Sequence, residues 1–88
     1  MPYIKKDDRI RFEEGIKSIV AALKENGDVK PGDINYVFST ILWELFKEKP
    51  SYTLANSMVG AMECVKLEFY RRQVAPYEDA KIKEHGDI

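Results

Sequence analysis

Charged side chains whose spacing could build a site are concentrated in the last third of the sequence. Glu68 and Arg72 are four residues apart and would project from the same side of a helix, close to the centre of its apolar face. This spacing favours an i, i+4 ion pair between the two side chains at the end of the apolar core. The alternative is a partly buried polar site in which Arg72 orients a carboxylate or a phosphate through its planar fork.

Carboxylates in the same region raise the question of a metal site. Glu63, Glu68, Glu78 and Asp79 could gather near the end of a helix, and hard cations such as magnesium prefer oxygen ligands. Helical metal-dependent nucleotide hydrolases use such carboxylates, but the paired E-x-x-E and E-x-x-D signature is missing. We therefore expect no metal and no cofactor, and retain a small nucleotide hydrolase or nucleotide-binding protein as the alternative function.

Arg71 and Arg72 follow Phe69 and Tyr70, an arrangement that resembles the basic and aromatic patches that stack on single-stranded bases. Two arginines are too few for such a patch. Moreover, 14 Lys and Arg against 15 Asp and Glu give a net charge of -1, which supplies no general field for a polyanion. Nucleic-acid binding is not expected.

Covalent catalysis has no clear candidate in this sequence. Cys64 is the only cysteine and has no obvious neighbour that would make it a nucleophile. Together with the single histidine, His85, it falls short of any zinc ligand set. We predict no catalytic residue.

The elements that would position these side chains are helices, and 88 residues suffice for one domain, residues 1–88. After an extended lead around Pro2, Asp7 or Asp8 is predicted to cap a first helix that ends near Glu25, before Asn26 and Gly27. Its apolar residues recur at helical spacing and should face a core. They are Phe12, Ile16, Ile19, Val20 and Leu23.

Two further helices follow from capping and breaking signals. Asp33 is predicted to cap the second helix, which ends before Pro50. Ser51 is predicted to cap the third helix, which runs about 24 residues until Pro76. Pro76–His85 is either a fourth helix or a kinked continuation of the third. The predicted fold class is therefore all-α, a small bundle of three main helices plus a short C-terminal helix after Pro76. Two apolar stripes support it: Ile34, Val37, Phe38, Ile41, Leu42, Leu45 and Phe46, and then Leu54, Ala55, Met58, Ala61, Met62, Val65 and Phe69.

Several apolar and aromatic side chains fall outside these stripes. Trp43, Leu67 and Val74 point away from the main faces. Apart from Tyr77 and Ile82, the C-terminal segment has few large apolar side chains that it could bury. These side chains either cover the edge of a small core or form an interface with another protein. We take them as interface candidates and expect a non-enzymatic interaction module that self-associates, as a homodimer, with an unidentified protein partner as a further option.

The segments MPYIKKDDR, PGDINYV and ECVKLEFYRRQVAPYEDAKIKEHGDI resemble a family of short uncharacterised proteins from bacteria and bacteriophages. The family has no assigned activity, so the resemblance implies no catalytic residue. It implies a stand-alone protein whose natural chain begins and ends close to where this one does. The charged N-terminus, the lack of an apolar run of ~20 residues and the single cysteine predict a cytoplasmic protein without a membrane span.

Overall fold

The computed structural model describes residues 3–88, and the predicted lead around Pro2 lies outside the described residues. Helix α1 spans Lys6–Lys24, α2 spans Pro31–Glu48 and α3 spans Tyr52–Phe69. A π-helical turn, Tyr70–Val74, joins α3 directly to α4, Ala75–His85. Residues 3–88 contain no strand, so the predicted all-α class with three main helices and a C-terminal helical piece is confirmed.

The start of α1 differs from the prediction by one turn. Lys5 occupies the N-cap position without a side-chain cap, and Asp7 and Asp8 lie in the first turn. Their carboxylates lie in the first turn and are attracted by the positive end of the helix dipole, a favourable interaction that needs no capping hydrogen bond. The Arg9 guanidinium instead reaches back to the Ile4 carbonyl at 3.1 and 3.2 Å.

The turn after α1 forms where the sequence predicts it. The α-helix ends at Lys24, and Gly27 has φ +99, a left-handed conformation that glycine adopts without steric cost. Helix α2 then begins at Pro31, two residues before the predicted cap, so Asp33 lies in the first turn. Proline suits the first position of a helix, where the amide it lacks would have no intrahelical partner.

Helix α3 begins with the predicted cap. The Ser51 side-chain oxygen accepts a hydrogen bond from the Leu54 amide at 3.0 Å. Regular α-helix ends at Phe69 rather than at the predicted Ala75, and α4 continues from the π turn without a break. The predicted alternative of a continued third helix is therefore the observed one, and Gly86, with φ +88, ends it.

The chain divides into two units, Met1–Ile41 and Leu42–Ile88. Neither contains a buried residue among those described, and the least exposed side chains are only half-buried. In the first unit these include Leu23 and Val37, and in the second Phe46, Leu54 and Met58.

The prediction that the apolar stripes face a buried core is therefore wrong for the described residues of each unit. Phe12, Ile16 and Phe38 in the first unit keep at least 44% of their surface exposed, as do Val65 and Phe69 in the second. The physical reason is that a fully buried side chain needs contacts with about six to twelve residues, which one neighbouring helix segment does not supply.

Candidate functional site

The strongest polar cluster of the second unit lies where α3 passes through the π turn into α4. It contains Glu68, Tyr70, Arg71, Arg72 and Glu78, five residues that the sequence singled out either as charges or as aromatic neighbours. Local sequence decides its geometry, because all five lie within eleven consecutive positions of one helical segment.

Pro76 explains the π turn. Proline has no amide hydrogen, and its ring would clash with the carbonyl of residue 72 in a regular α-helix. Widening the preceding turn relieves that clash, and the Ala75 amide accordingly donates to the Tyr70 carbonyl, five residues back. Helix α4 continues from this turn with Pro76 among its first residues.

Glu68 is the centre of an ion-pair cluster. The Arg71 Nη2 atom lies 3.2 Å from both Glu68 carboxylate oxygens, and the Arg72 Nη1 atom lies 3.6 Å from Oε2. The Glu68 side chain is 28% exposed, against 69% and 63% for the two arginines. The predicted Glu68–Arg72 pair is confirmed, and Arg71 joins it. One carboxylate thus holds two guanidinium groups at the surface.

Tyr70 and Glu78 form a second contact across the π turn. The Tyr70 hydroxyl donates a hydrogen bond to Glu78 Oε1. This hydrogen bond, the Glu78 negative charge, partial desolvation and, least of all, the Asp79 charge raise the pKa of Tyr70 above its ordinary value. Removing the phenolic proton would leave two negative oxygens facing each other. The hydroxyl therefore keeps its proton to higher pH than a free tyrosine does.

The remaining predicted carboxylates do not join this cluster as metal ligands. Glu63 pairs with Lys66 at 3.0 Å on the surface of α3, and Asp79 acts on Tyr70 through its charge. Within the described part of the chain, no group of three or more His, Cys, Asp and Glu side chains is placed to hold a metal ion. Cys64 is a half-buried free thiol, and His85 lies exposed at 3.5 Å from Glu84.

The predicted interface candidates are mostly open to solvent. Trp43 is 73% exposed and Leu67 56%, and Tyr77 and Ile82 are also exposed, whereas Val74 in the π turn is half-buried. The Lys81 ammonium lies 5.6 Å from the centre of the Tyr77 ring, within range of a cation–π contact.

Sequence reasoning missed the polar role of Tyr70, which it considers only as an aromatic neighbour of Arg71 and Arg72. The spacing rules for regular helices pair residues three or four apart, and Tyr70 and Glu78 are eight apart. Pro76 was the signal that could have revealed a change of helical period between them.

By its described residues, this is an all-α protein. No helix among residues 3–88 combines the length and apolarity needed to cross a bilayer. The chain belongs to DUF6899, a domain of unknown function, whose family model matches residues 1–88. No curated protein and no solved structure matches the chain.

Proposed function

We propose that this protein is a non-enzymatic interaction module that works as a homodimer. The observation that carries the proposal is the absence of any buried residue between positions 3 and 88 in a chain that is 44% hydrophobic. Burying one large apolar side chain is worth about 1.5–3 kcal/mol, so uncovered faces of this size favour association. The proposal includes the cytoplasmic location and the bacterial or bacteriophage origin that the sequence resemblance implies.

The exposed aromatic residues of the second unit support an interface there. Trp43, Tyr77 and Leu67 each expose more than half of their surface, and Trp and Tyr are the residue types that most often dominate binding energy. A large aromatic ring also loses little conformational entropy on binding, because it has only two side-chain torsions. These three residues, together with Val74, which is half-buried in the π turn, are the first positions at which we would weaken an interface.

The near-neutral charge of the chain supports self-association as well. A net charge of -1 gives two copies almost no mutual repulsion, and charge near zero promotes association. A basic surface would instead have pointed to a polyanionic partner.

The test is the molar mass in solution, measured by light scattering after size exclusion across a wide concentration range. We expect twice the 10.2 kDa mass of one chain. Trp43→Ala, Leu67→Asp and Val74→Asp should shift the distribution towards the single chain. Ser57→Asp is the matched control, because it adds the same charge at an exposed polar position of α3.

A wild-type protein that keeps the single-chain mass at every concentration overturns the homodimer. If the wild type is a dimer and all three variants remain so, the assigned surface is wrong. A melting temperature that rises with magnesium, manganese or a nucleotide would instead favour the hydrolase or nucleotide-binding alternative, since a bound ligand stabilises the folded state.

A further inference from the structure

The stretch from α3 through the π turn into α4 is one uninterrupted helical segment whose period changes at the turn. In a regular α-helix each residue advances about 100°, so residues seven apart lie within roughly 20° of each other, whereas residues eight apart lie roughly 80° apart. Across the π turn, however, the Tyr70 hydroxyl meets the Glu78 carboxylate, eight residues further along. The turn therefore adds one residue to the spacing at which two side chains share a side of the helix.

The same shift acts on the apolar side chains of the segment. Phe69 and Tyr77 are also eight residues apart and span the same turn. Five residues at roughly 80° and three at about 100° bring Tyr77 within roughly 20° of Phe69. Met62 lies seven residues before Phe69 in regular α-helix, which also places it within roughly 20°. Met62, Phe69 and Tyr77 therefore follow one line along the segment.

Val74 also moves towards this line. An uninterrupted α-helix would place it roughly 140° from Phe69, which is why its spacing predicts a side chain that points away from the main face. With the π turn the angle falls to roughly 40°. Val74 is half-buried, whereas Arg71, Arg72 and Gln73 in the same turn are exposed. Its lower exposure agrees with a position on the apolar side of the segment.

Leu67 stays on another side of the helix. Two regular steps, five steps in the π turn and three steps in α4 separate it from Tyr77, and together they amount to roughly 180°. The interface candidates of this segment therefore do not form a single face. Val74 and Tyr77 continue the apolar stripe of α3, and Leu67 lies opposite Tyr77.

We propose that the π turn is a phase-correcting insertion that carries the apolar stripe of α3 past Pro76, through Val74 to Tyr77. Pro76 excludes regular α-helix at this point, and one added residue relieves its clash. That residue changes the helical phase, and Val74 and Tyr77 are spaced for the changed phase rather than for the regular one. The proposal concerns the alignment of helices within the second unit, so it does not depend on the proposed homodimer.

A substitution combined with a deletion tests the alignment. Pro76→Ala restores the missing amide and should return the turn to regular α-helix, which leaves Tyr77 roughly 80° from Phe69. Deleting Gln73, an exposed residue of the turn, in the Pro76→Ala background places the two aromatic residues seven apart in regular helix. They should then share a side again. This compensation is expected only if the turn acts by changing the phase.

Spin labels measure the rotation directly. One pair is introduced by Phe69→Cys and Tyr77→Cys, with Cys64→Ser to remove the native thiol. The matched reference pair, Val59→Cys and Leu67→Cys, is also eight residues apart but lies wholly within regular α3. In the otherwise unaltered chain the 69–77 separation should be shorter than the 59–67 separation. Dilution with unlabelled protein removes contributions between copies.

The outcomes decide the proposal in any oligomeric state. A 69–77 separation that is short, lengthens to the 59–67 value in Pro76→Ala and shortens again when Gln73 is also deleted supports the phase correction. Equal separations for the two pairs in the unaltered chain overturn it, and this comparison does not require the Pro76→Ala or deletion variants to fold. A 69–77 separation that stays short in Pro76→Ala, or stays long after the deletion, also overturns it.

Discussion

The Tyr70 hydroxyl donates a hydrogen bond to the Glu78 carboxylate, eight residues further along the chain. In a regular α-helix these residues would project roughly 80° apart, because each residue advances the helix by about 100°. The five residues of the π turn each advance it by roughly 80°, which brings the two side chains close to the same side. The contact therefore depends on the π turn, and the π turn depends on Pro76.

Replacing Glu78 by Gln should lower the pKa of Tyr70 towards its ordinary value, because the negative charge that opposes the tyrosinate is removed. Ultraviolet absorbance of tyrosinate during a pH titration measures the change. Tyr70→Phe assigns the signal, since the component that moves in Glu78→Gln should be missing from it. Identical titration curves for the wild type and Glu78→Gln would contradict the observed contact.

The same hydrogen bond should make stability fall at high pH. The unfolded chain loses the Tyr70 proton near the ordinary value of 10.0, whereas the folded chain, with its raised pKa, still holds it. The unfolded state then binds fewer protons, so the free energy of unfolding decreases as pH rises above that value and through the folded pKa. Urea unfolding on both sides of pH 10 should show this decrease in the wild type and a smaller one in Tyr70→Phe.

Pro76→Ala should convert the π turn to regular α-helix. The new amide can donate to the carbonyl of residue 72, and the ring clash disappears, so we expect a gain of about 1 kcal/mol, a fraction of the ~3 kcal/mol that proline costs inside a helix. Circular dichroism and urea unfolding at fixed protein concentration measure it. Pro31→Ala is the control, because Pro31 begins α2 and should be replaceable without gain. Equal effects at both positions would refute this explanation of the π turn.

Ser51→Ala should destabilise the protein by about 1 kcal/mol, because the Leu54 amide loses its acceptor at 3.0 Å. Ser51→Asp retains an acceptor and should restore most of the loss. Ser57→Ala, within α3, controls for the general effect of removing a hydroxyl. Unfolding free energies at one protein concentration decide the matter, and a Ser51→Ala value equal to the wild type would rule out the cap.

Two glycine substitutions should have opposite signs. Gly27→Ala forces a Cβ into a left-handed conformation, φ +99, and should cost about 1–2 kcal/mol. Gly15→Ala lies inside α1 with open space around the added Cβ, and should stabilise by about 0.5–1 kcal/mol. Thermal melts of the two variants side by side provide the comparison, and a loss at Gly15 would contradict the open space around the added Cβ.

The sequence alone determined where most helices end. Gly27, Pro50 and Ser51 mark boundaries because turns and caps depend on one or two residues, and the Glu68–Arg72 pair follows from spacing within one helix. The same local rules placed the starts of α1 and α2 two or three residues too late, since Asp7 and Asp33 are almost as favourable in a first turn as at a cap.

The three-dimensional structure decided how exposed the apolar stripes are and where the helical period changes in the last helix. Periodicity shows that Ile16 and Phe38 lie on apolar faces, but exposure depends on how many other segments come within contact distance, a property that no short window of sequence contains. Likewise the Tyr70–Glu78 contact required the π turn to change the helical period between two positions that regular spacing keeps apart. Local backbone preferences fixed the helices, and the surroundings of each side chain fixed which apolar faces stay exposed.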